Sequence, residues 1–511
     1  MKKPKVIIIG LDGGSWNLIK ELMRKGKLVT FRKIIEKGTH SILETVIPPV
    51  TGPAWVSFAT GKNPGKHGVF DFVKLKDNYL KPITSKDIKV LTFYDILSLM
   101  GFQNIIISLP LSYPPKNIFR GIMVSDFLYP RYEITPRSKS EYLKKYEIHK
   151  VSLHWIRTRL LYNIIESALY RINMATKLLL SEKWDLFFLW YGESDMCLHY
   201  FWNDILNNNK IGQKATLIFE LIDSFINIVL KLMKNHNNYF LFIVSDHGFK
   251  EYSYKVNLNK LFTKSGSLLL RDLKVLTTSR NRATLLSKIT SILFKKIMLN
   301  SVAYFFLKSM RGYVPKVDLL LDIDFQKSKF YVPTNEAMGV CVNEFDPLVK
   351  EKLISNIIKL LKKIKYNNIN IFKSILRKEE IFKGPYVNDA PDIILISEDF
   401  LVTAQPFGMF VEKFNRGYHD IHGIFIAYGE NIREGYYAEK GIKIYDIAPT
   451  VLYIFNVPIP NDMDGRVLAE IFKIRSEIRK REPKYVDSSY YTYLIWRKSL
   501  KRKLLNIRRK F

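Results

Sequence analysis

The feature that most constrains this chain is a set of short apolar runs: KVIIIG (5–10), NIIIS (104–108), DLFFLW (185–190), YFLFIVS (239–245), DIILIS (392–397) and GIFIAYG (423–429). Runs of this length without alternation suit strands buried on both faces, as in sheets with helices packed on either side. Helical patterns lie between several of them, at residues 157–180 and 212–234. Strands alternating with helices predict an α/β chain whose central sheet is mostly parallel. The first run stops on Asp12, followed by Gly13 and Gly14. Glycines let the chain turn tightly, and in such sheets ligands collect at the carboxyl ends of the strands. Taken alone, Asp12 is better explained as a cap for the helix after it. Other strand ends must supply partners before it reads as a site.

With 511 residues, 47% of them hydrophobic, the chain can bury a large core. Its length predicts about two to four domains, unless one α/β unit carries insertions. Cys197 and Cys341 are the only cysteines, which excludes a disulfide framework and a cysteine-based zinc site. The start, MKKPKVIIIG, is too short in apolar residues for a signal peptide, and no run is long enough for a transmembrane helix. The expected location is therefore cytoplasmic, with peripheral membrane association as the variant. A net charge of +32 suits nucleic acid, anionic lipid or a phosphorylated substrate. Because the excess is spread along the chain, it equally suits a compositional habit rich in Lys and Ile. The last stretch, WRKSLKRKLLNIRRKF (496–511), carries eight Lys or Arg and no acid. There Trp496, Leu500, Leu504 and Ile507 recur at roughly helical spacing. That pattern fits a basic amphipathic helix on an anionic membrane or RNA, or a helix docked on its own domain.

Three more strand ends repeat the pattern of Asp12. After DLFFLW comes YGESDMCLHYFW, with Asp195 and His199 four residues apart, on one face of any helix starting there. After YFLFIVS come Asp246 and His247, with Gly248 turning the chain. Just before GIFIAYG lies GYHDIHG, which offers His419, Asp420 and His422. Asp and His without Cys suit Zn²⁺ or Mn²⁺. Two such sets could hold two metals about 4 Å apart, the arrangement that clamps attacking and leaving oxygens in phosphoryl transfer. Each pair alone could be a capped helix or a polar turn, but joint placement at separate strand ends is hard to explain by packing. The stretch IPPVTGPAWVSFATGKNPGKHGVFDF (47–72) offers Thr51 ahead of a predicted helix, where the dipole and free amides stabilise an anion. From the local sequence alone Thr51 is a plain N-cap.

VIIIGLDG, VTGPAWVSFATGKNPGKHG, SDMCLH, SDHGF and GYHDIHGIFIAYG follow the order and character of the alkaline phosphatase superfamily. The chain most resembles its type I phosphodiesterase/nucleotide pyrophosphatase branch, and YDIAPTVLYIFNVPIPNDMDGRVL (445–468) is similar to that branch's closing segment. The resemblance runs from about residue 4 to 470, with 255–322 its least characteristic part. It implies an alkaline phosphatase-like three-layer α/β/α sandwich, and the helical, Lys-rich pattern of 255–322 between two sheet strands predicts an inserted helical cap. The implied division is a catalytic domain over 1–254 and 323–473, the cap over 255–322 and a basic tail over 474–511. It also implies a phosphoester hydrolase with two divalent metals, zinc first and manganese as the alternative. One metal would sit on Asp12, Thr51, Asp246 and His247, the other on Asp195, His199 and His419. Thr51 would be the nucleophile, forming a phosphothreonine that water hydrolyses.

Within that resemblance His419 is preferred to His422 because the family's histidine follows a Gly-x and stands a few residues ahead of the glycine preceding the strand. His67 in PGKHG matches a structural position. The chain departs from the branch at Ala54, where an asparagine three positions after the nucleophile serves the oxyanion, so backbone amides near Gly52 become the expected donors. The expected substrate is a phosphorylated small molecule. The alternative is a membrane-surface phosphotransferase or phosphatase working on a lipid or glycan phosphate.

Overall fold

A computed structural model of the chain describes residues 3–76, 79–128, 132–143, 157–234, 238–270, 323–406 and 408–508. Its centre is a ten-stranded sheet. The strands used below are β1 (Lys5–Leu11), β2 (Thr39–Glu44), β3 (Asn104–Ile107), β4 (Gly121–Val124), β5 (Ile134–Thr135), β6 (Leu186–Tyr191), β7 (Tyr239–Val244), β8 (Gly248–Asn257), β9 (Phe400–Thr403), β10 (Val411–Asp420), β11 (His422–Gly429) and β12 (Tyr436–Tyr437). The helices are α1 (Thr51–Thr60), α2 (Phe93–Leu99), α3 (Arg157–Ser181), α4 (Glu193–Leu206), α5 (Leu217–Met233) and α6 (Ser489–Arg508).

Across the sheet the order is β12-β2-β11-β7-β1-β6-β3-β4-β5, with Ile442–Lys443 beside β2. The five central strands, β7, β1, β6, β3 and β4, are parallel. The strand β11 inserts antiparallel between β7 and β2. The apolar runs are continuous because both faces are covered. Ile7, Ile9 and Leu11 of β1 enter one core with α3, α4 and α5, while Val6 and Ile8 enter another with α1, α2 and α6. Side chains alternate across a strand, so each layer of helices claims every second residue. The expected α/β/α sandwich is present.

Two local expectations differ. The helical stretch 212–234 divides into Lys210–Ala215 and Leu217–Met233. The run at 392–397 does not join the main sheet. Its strand, Ile393–Ile396, lies in a small antiparallel sheet with Phe330–Tyr331, Gly339–Val342 and Ser374–Arg377. A third core, including Val256, Val340, Ile357, Ile393 and Phe400, joins that sheet to the three strands β9-β8-β10. An apolar run shows that a strand is covered, not which sheet receives it. Position 255, the expected start of the cap, falls inside β8, and residues 271–322 lie outside the described residues. Within the basic tail, 489–508 is helix. No described helix is long and apolar enough to cross a membrane.

The ring of Phe188 on β6 is fully buried, 5.7 Å edge-on to Trp55 and 5.5 Å from Phe58. It therefore couples the sheet to α1, which carries Thr51. Phe188→Ala should lower stability by about 3–5 kcal/mol through lost contact and a residual cavity. Urea unfolding followed by circular dichroism checks it, and an unshifted midpoint would contradict this coupling.

Candidate active site

Three parallel strands deliver the acidic residues. The strand β1 ends at Leu11, and Asp12 follows; Gly13 then takes a left-handed φ of +68°. A Cβ there would also stand 3.1 Å from Asp195 Oδ1, so glycine is required for both reasons. The strand β6 leads through Tyr191 and Gly192 into α4, placing Asp195 in its first turn and His199 one turn on. The strand β7 ends before Asp246 and His247, and β8 departs at Gly248. His419 stands opposite Phe249 in the β8–β10 pairing, which folds it back over the same place.

Thr51 opens α1. Its N-cap is Val50, which offers no side-chain cap, and Pro53 has no N–H to give. The N–H groups of Thr51 and Gly52 thus stand outside the intrahelical ladder, which begins with Ala54 N donating to Val50 O at 3.0 Å. Thr51 Oγ1 lies 3.3 Å from His247 Nε2. That nitrogen is also 3.5 Å from Asp12 Oδ1 and 3.4 Å from Asp246 Oδ2. In the second cluster His199 Nε2 is 3.3 Å from Asp195 Oδ2 and 3.0 Å from His419 Nε2, which is 3.5 Å from Asp195 Oδ1. The His247 and His419 rings stack at 3.8 Å, so the two clusters abut.

Both of these rings are oriented by backbone carbonyls. His247 Nδ1 donates to Gly248 O at 3.0 Å, and His419 Nδ1 donates to Pro49 O at 3.0 Å. A carbonyl can only accept, so Nδ1 carries the hydrogen and the Nε2 lone pairs face the carboxylates. Asp12 Oδ2 is held by two indoles, Trp190 Nε1 at 2.6 Å and Trp55 Nε1 at 3.1 Å. Gly13 N donates to Asp246 Oδ1 at 3.3 Å. These bonds use one oxygen of each carboxylate and leave Asp12 Oδ1 and Asp246 Oδ2, with Asp195 Oδ1, buried and without a hydrogen-bond partner.

The charges are correspondingly strained. Burial, reinforced by the Asp195 charge, pushes the Asp246 carboxyl up to about 8. Burial and the charges of Asp246 and Asp195 hold Asp12 well above the carboxylate range. Asp195 goes the other way: burial opposes its ionisation, but His199 and His419 outweigh it and hold the carboxyl well below its usual value. Burial and neighbouring His247 push His419 down to about 3, so its ring is neutral. Unpartnered buried oxygens beside the neutral His419 ring are costly as they stand. Ligand atoms of Asp12, Asp246 and His247, and of Asp195, His247 and His419, lie within 4.8 Å of one another, and such oxygen and imidazole donors, with no sulfur among them, fit divalent cations.

All the residues expected at the site are brought together: Asp12, Thr51, Asp246 and His247 in one cluster, Asp195, His199 and His419 in the other. His422 turns outward, its side chain 55% exposed beside Asp420. His67 is buried away from the clusters, its Nε2 on Ser57 Oγ at 2.9 Å. Ala54 is fully buried in the core behind α1. Sequence reasoning missed the two indoles, although Trp55 lies one helical turn after Thr51 and Trp190 sits at the end of an apolar run. It also missed Glu336, which accepts from Tyr418 Oη at 2.6 Å beside His199. Glu336 comes from a loop between Tyr331 and Gly339, far along the chain, and no local pattern announces it.

Among solved structures, this chain resembles murine ectonucleotide pyrophosphatase/phosphodiesterase 5, in an inactive form in complex with AMP, at 14% identity and a TM-score of 0.55, covering 92% of this chain and 100% of that one. It also resembles phosphonoacetate hydrolase from Sinorhizobium meliloti 1021 in complex with phosphonoformate, at 14% identity and a TM-score of 0.52, covering 89% and 96%. A mutant of the alkaline phosphatase PafA gives 13% identity and a TM-score of 0.55, covering 93% and 100%. At such identities these likenesses establish the fold, which is that of the alkaline phosphatase superfamily. No curated protein matches the sequence. The model of the family described as type I phosphodiesterase/nucleotide pyrophosphatase matches residues 6–405. The chain therefore belongs to the type I phosphodiesterase/nucleotide pyrophosphatase family, and it is a hydrolase of phosphoester bonds.

Proposed function

We propose that the chain cleaves a phosphodiester in a small phosphorylated molecule through a covalent phosphothreonine on Thr51. One divalent metal would be held by Asp12, Thr51, Asp246 and His247 and a second by Asp195, His199 and His419. The observation that carries this reading is the convergence of Thr51 Oγ1, at an uncapped helix N-terminus, on His247 Nε2 beside carboxylate oxygens without partners. The donor chemistry favours zinc, with manganese as the alternative. When bound, such ions lower the pKa of a coordinated hydroxyl and neutralise charge developing on a leaving oxygen.

The chain's own groups then have distinct tasks. Thr51 Oγ1 gives up its proton to solvent and attacks phosphorus, and the bond to the leaving alkoxide breaks, that alkoxide taking a proton from water; the phosphothreonine so formed still carries the second ester group. The N–H groups of Thr51 and Gly52, at the positive end of α1, face the charge on the phosphoryl oxygens. With Ala54 buried, these amides take the place of a side-chain donor. Water next attacks phosphorus and loses a proton, the Thr51 oxygen departs and is reprotonated, and a phosphomonoester carrying the second ester group is released. A complex with AMP in one solved relative of this fold, and with phosphonoformate in another, supports a small phosphorus-bearing substrate.

Thr51→Ala is expected to cost about a thousandfold or more in hydrolysis of bis-p-nitrophenyl phosphate, whereas Thr51→Ser keeps measurable turnover. Mass spectrometry of wild type acid-quenched during turnover should find a p-nitrophenyl phosphoryl group on Thr51, and full activity in Thr51→Ala would exclude the covalent route. Trp55→Phe with Trp190→Phe frees Asp12 Oδ2 and should weaken metal binding by about 10–100-fold, read by chelator competition. Unchanged affinity would mean that the indoles do not orient the ligand. The raised carboxyls also set a pH dependence. In the metal-free protein the Asp246 contribution to stability is present below the unfolded value near 3.8 and is lost as pH rises towards about 8. Metal replaces the proton there, so the rise in Tm on adding Zn²⁺ should be larger at about pH 8 than at about pH 5. Equal increments at both values would contradict the assignment.

A further inference from the structure

The helix α6 is fastened by one face only. Tyr491 is 1% exposed and donates from Oη to Pro458 O at 2.5 Å, Leu494 and Ile495 pack against the core, and Lys498 Nζ donates to Leu99 O at 2.5 Å. Successive helix residues turn by about 100°. Tyr493, Trp496 and Leu500 therefore fall on the side opposite that docked face, and they are 53%, 58% and 42% exposed. The Tyr493 and Trp496 rings lie 6.0 Å apart, forming one apolar stripe. The sequence continues the same spacing with Leu504 and Ile507, and residues 496–511 hold eight Lys or Arg and no acid.

We propose that this outer face of α6 is a docking surface for an anionic lipid bilayer. A surface helix covered by solvent has no reason to carry a second apolar stripe. A helix lying in a membrane interface does, with its aromatic and aliphatic stripe in the headgroup boundary and its basic residues on the lipid phosphates. A second copy of this chain fits poorly, because each copy brings the same cluster of positive charge to the contact and a net charge of +32 behind it. RNA fits less well than lipid because apolar side chains, not basic ones, occupy the centre of the exposed face. No described helix can span a bilayer, so α6 would lie on it.

The placement separates this surface from the catalytic mouth. Leu99 ends α2, just before β3 begins at Asn104. Lys498 thus grips the end of α2 next to where the parallel strand β3 starts, while Asp12, Asp195 and Asp246 stand where the parallel strands end. Docking through α6 tethers the enzyme with its site turned towards the aqueous phase, and the inference does not depend on the hydrolytic mechanism proposed above.

The test is flotation of the full chain with phosphatidylcholine vesicles, with and without phosphatidylserine, beside Trp496→Ser/Leu500→Ser. Wild type should float with the anionic vesicles and not with the neutral ones, and binding should weaken as salt rises from about 0.1 M to about 0.5 M. The double variant should lose about tenfold or more in partitioning while keeping its Tm and its rate on a soluble diester. Equal flotation of wild type and variant, or no flotation with anionic vesicles, overturns the proposal. So does RNA binding or concentration-dependent dimerisation that the double variant abolishes while vesicles capture neither protein. Because the soluble-diester rate is read separately, failure of the catalytic reading would leave the vesicle result intact.

Discussion

Three carboxylates brought into one buried place, beside a His419 ring held neutral, are the constraint around which this molecule is arranged. Asp12, Asp195 and Asp246 repel one another where water cannot screen them. The protein accepts a Asp246 carboxyl pushed up to about 8 rather than separating them. A structure selected for stability alone would replace such a group with apolar residues, because buried charge without a partner is among the most expensive features a fold can hold. Its persistence at the ends of three adjacent strands is the physical reason to look for positive charge arriving from outside.

The surroundings are built to keep that demand focused. One oxygen of Asp12 is tied down by two indoles and one oxygen of Asp246 by a backbone amide. His247 and His419 spend their Nδ1 hydrogens on carbonyls, so their lone pairs have one direction left. Pro49 O belongs to the same turn that presents Thr51, so one short loop places that hydroxyl and orients His419 of the second cluster. The helix α1 adds free amides where negative charge would gather. Rigid strands carry the acids, and only the last residues after each strand are specialised.

The remaining parts divide the labour spatially. The module with its own core, built from 256–270 and 323–411, reaches back to the site through β10 and through Glu336 on Tyr418. One face of the main sheet carries α6 with its outward apolar stripe. A doubly covered parallel sheet leaves its strand ends free for a site, since its faces are occupied by helices, α6 among them.

The sequence by itself determined the layered architecture, because uninterrupted runs such as KVIIIG can be stable only with helices on both faces. It also determined which residues ended those strands, and hence the positions of Asp12, Asp195, His199, Asp246, His247 and His419, since a carboxylate or imidazole placed after such a run is conspicuous against a short list of histidines. What tertiary structure alone decided was how those ends meet. The identical kind of run at 392–397 went to a different sheet, because an apolar strand is specified by being covered and not by its neighbour. His419 was separated from the outward His422 by a change of strand, since the bend at Ile421 leaves one on β10 beside the site and the other at the start of β11. The indoles on Asp12, the Pro49 carbonyl on His419 and Glu336 on Tyr418 were invisible in the chain because each acts across tens to hundreds of residues. Only the folded molecule reveals which distant atoms come within bonding distance.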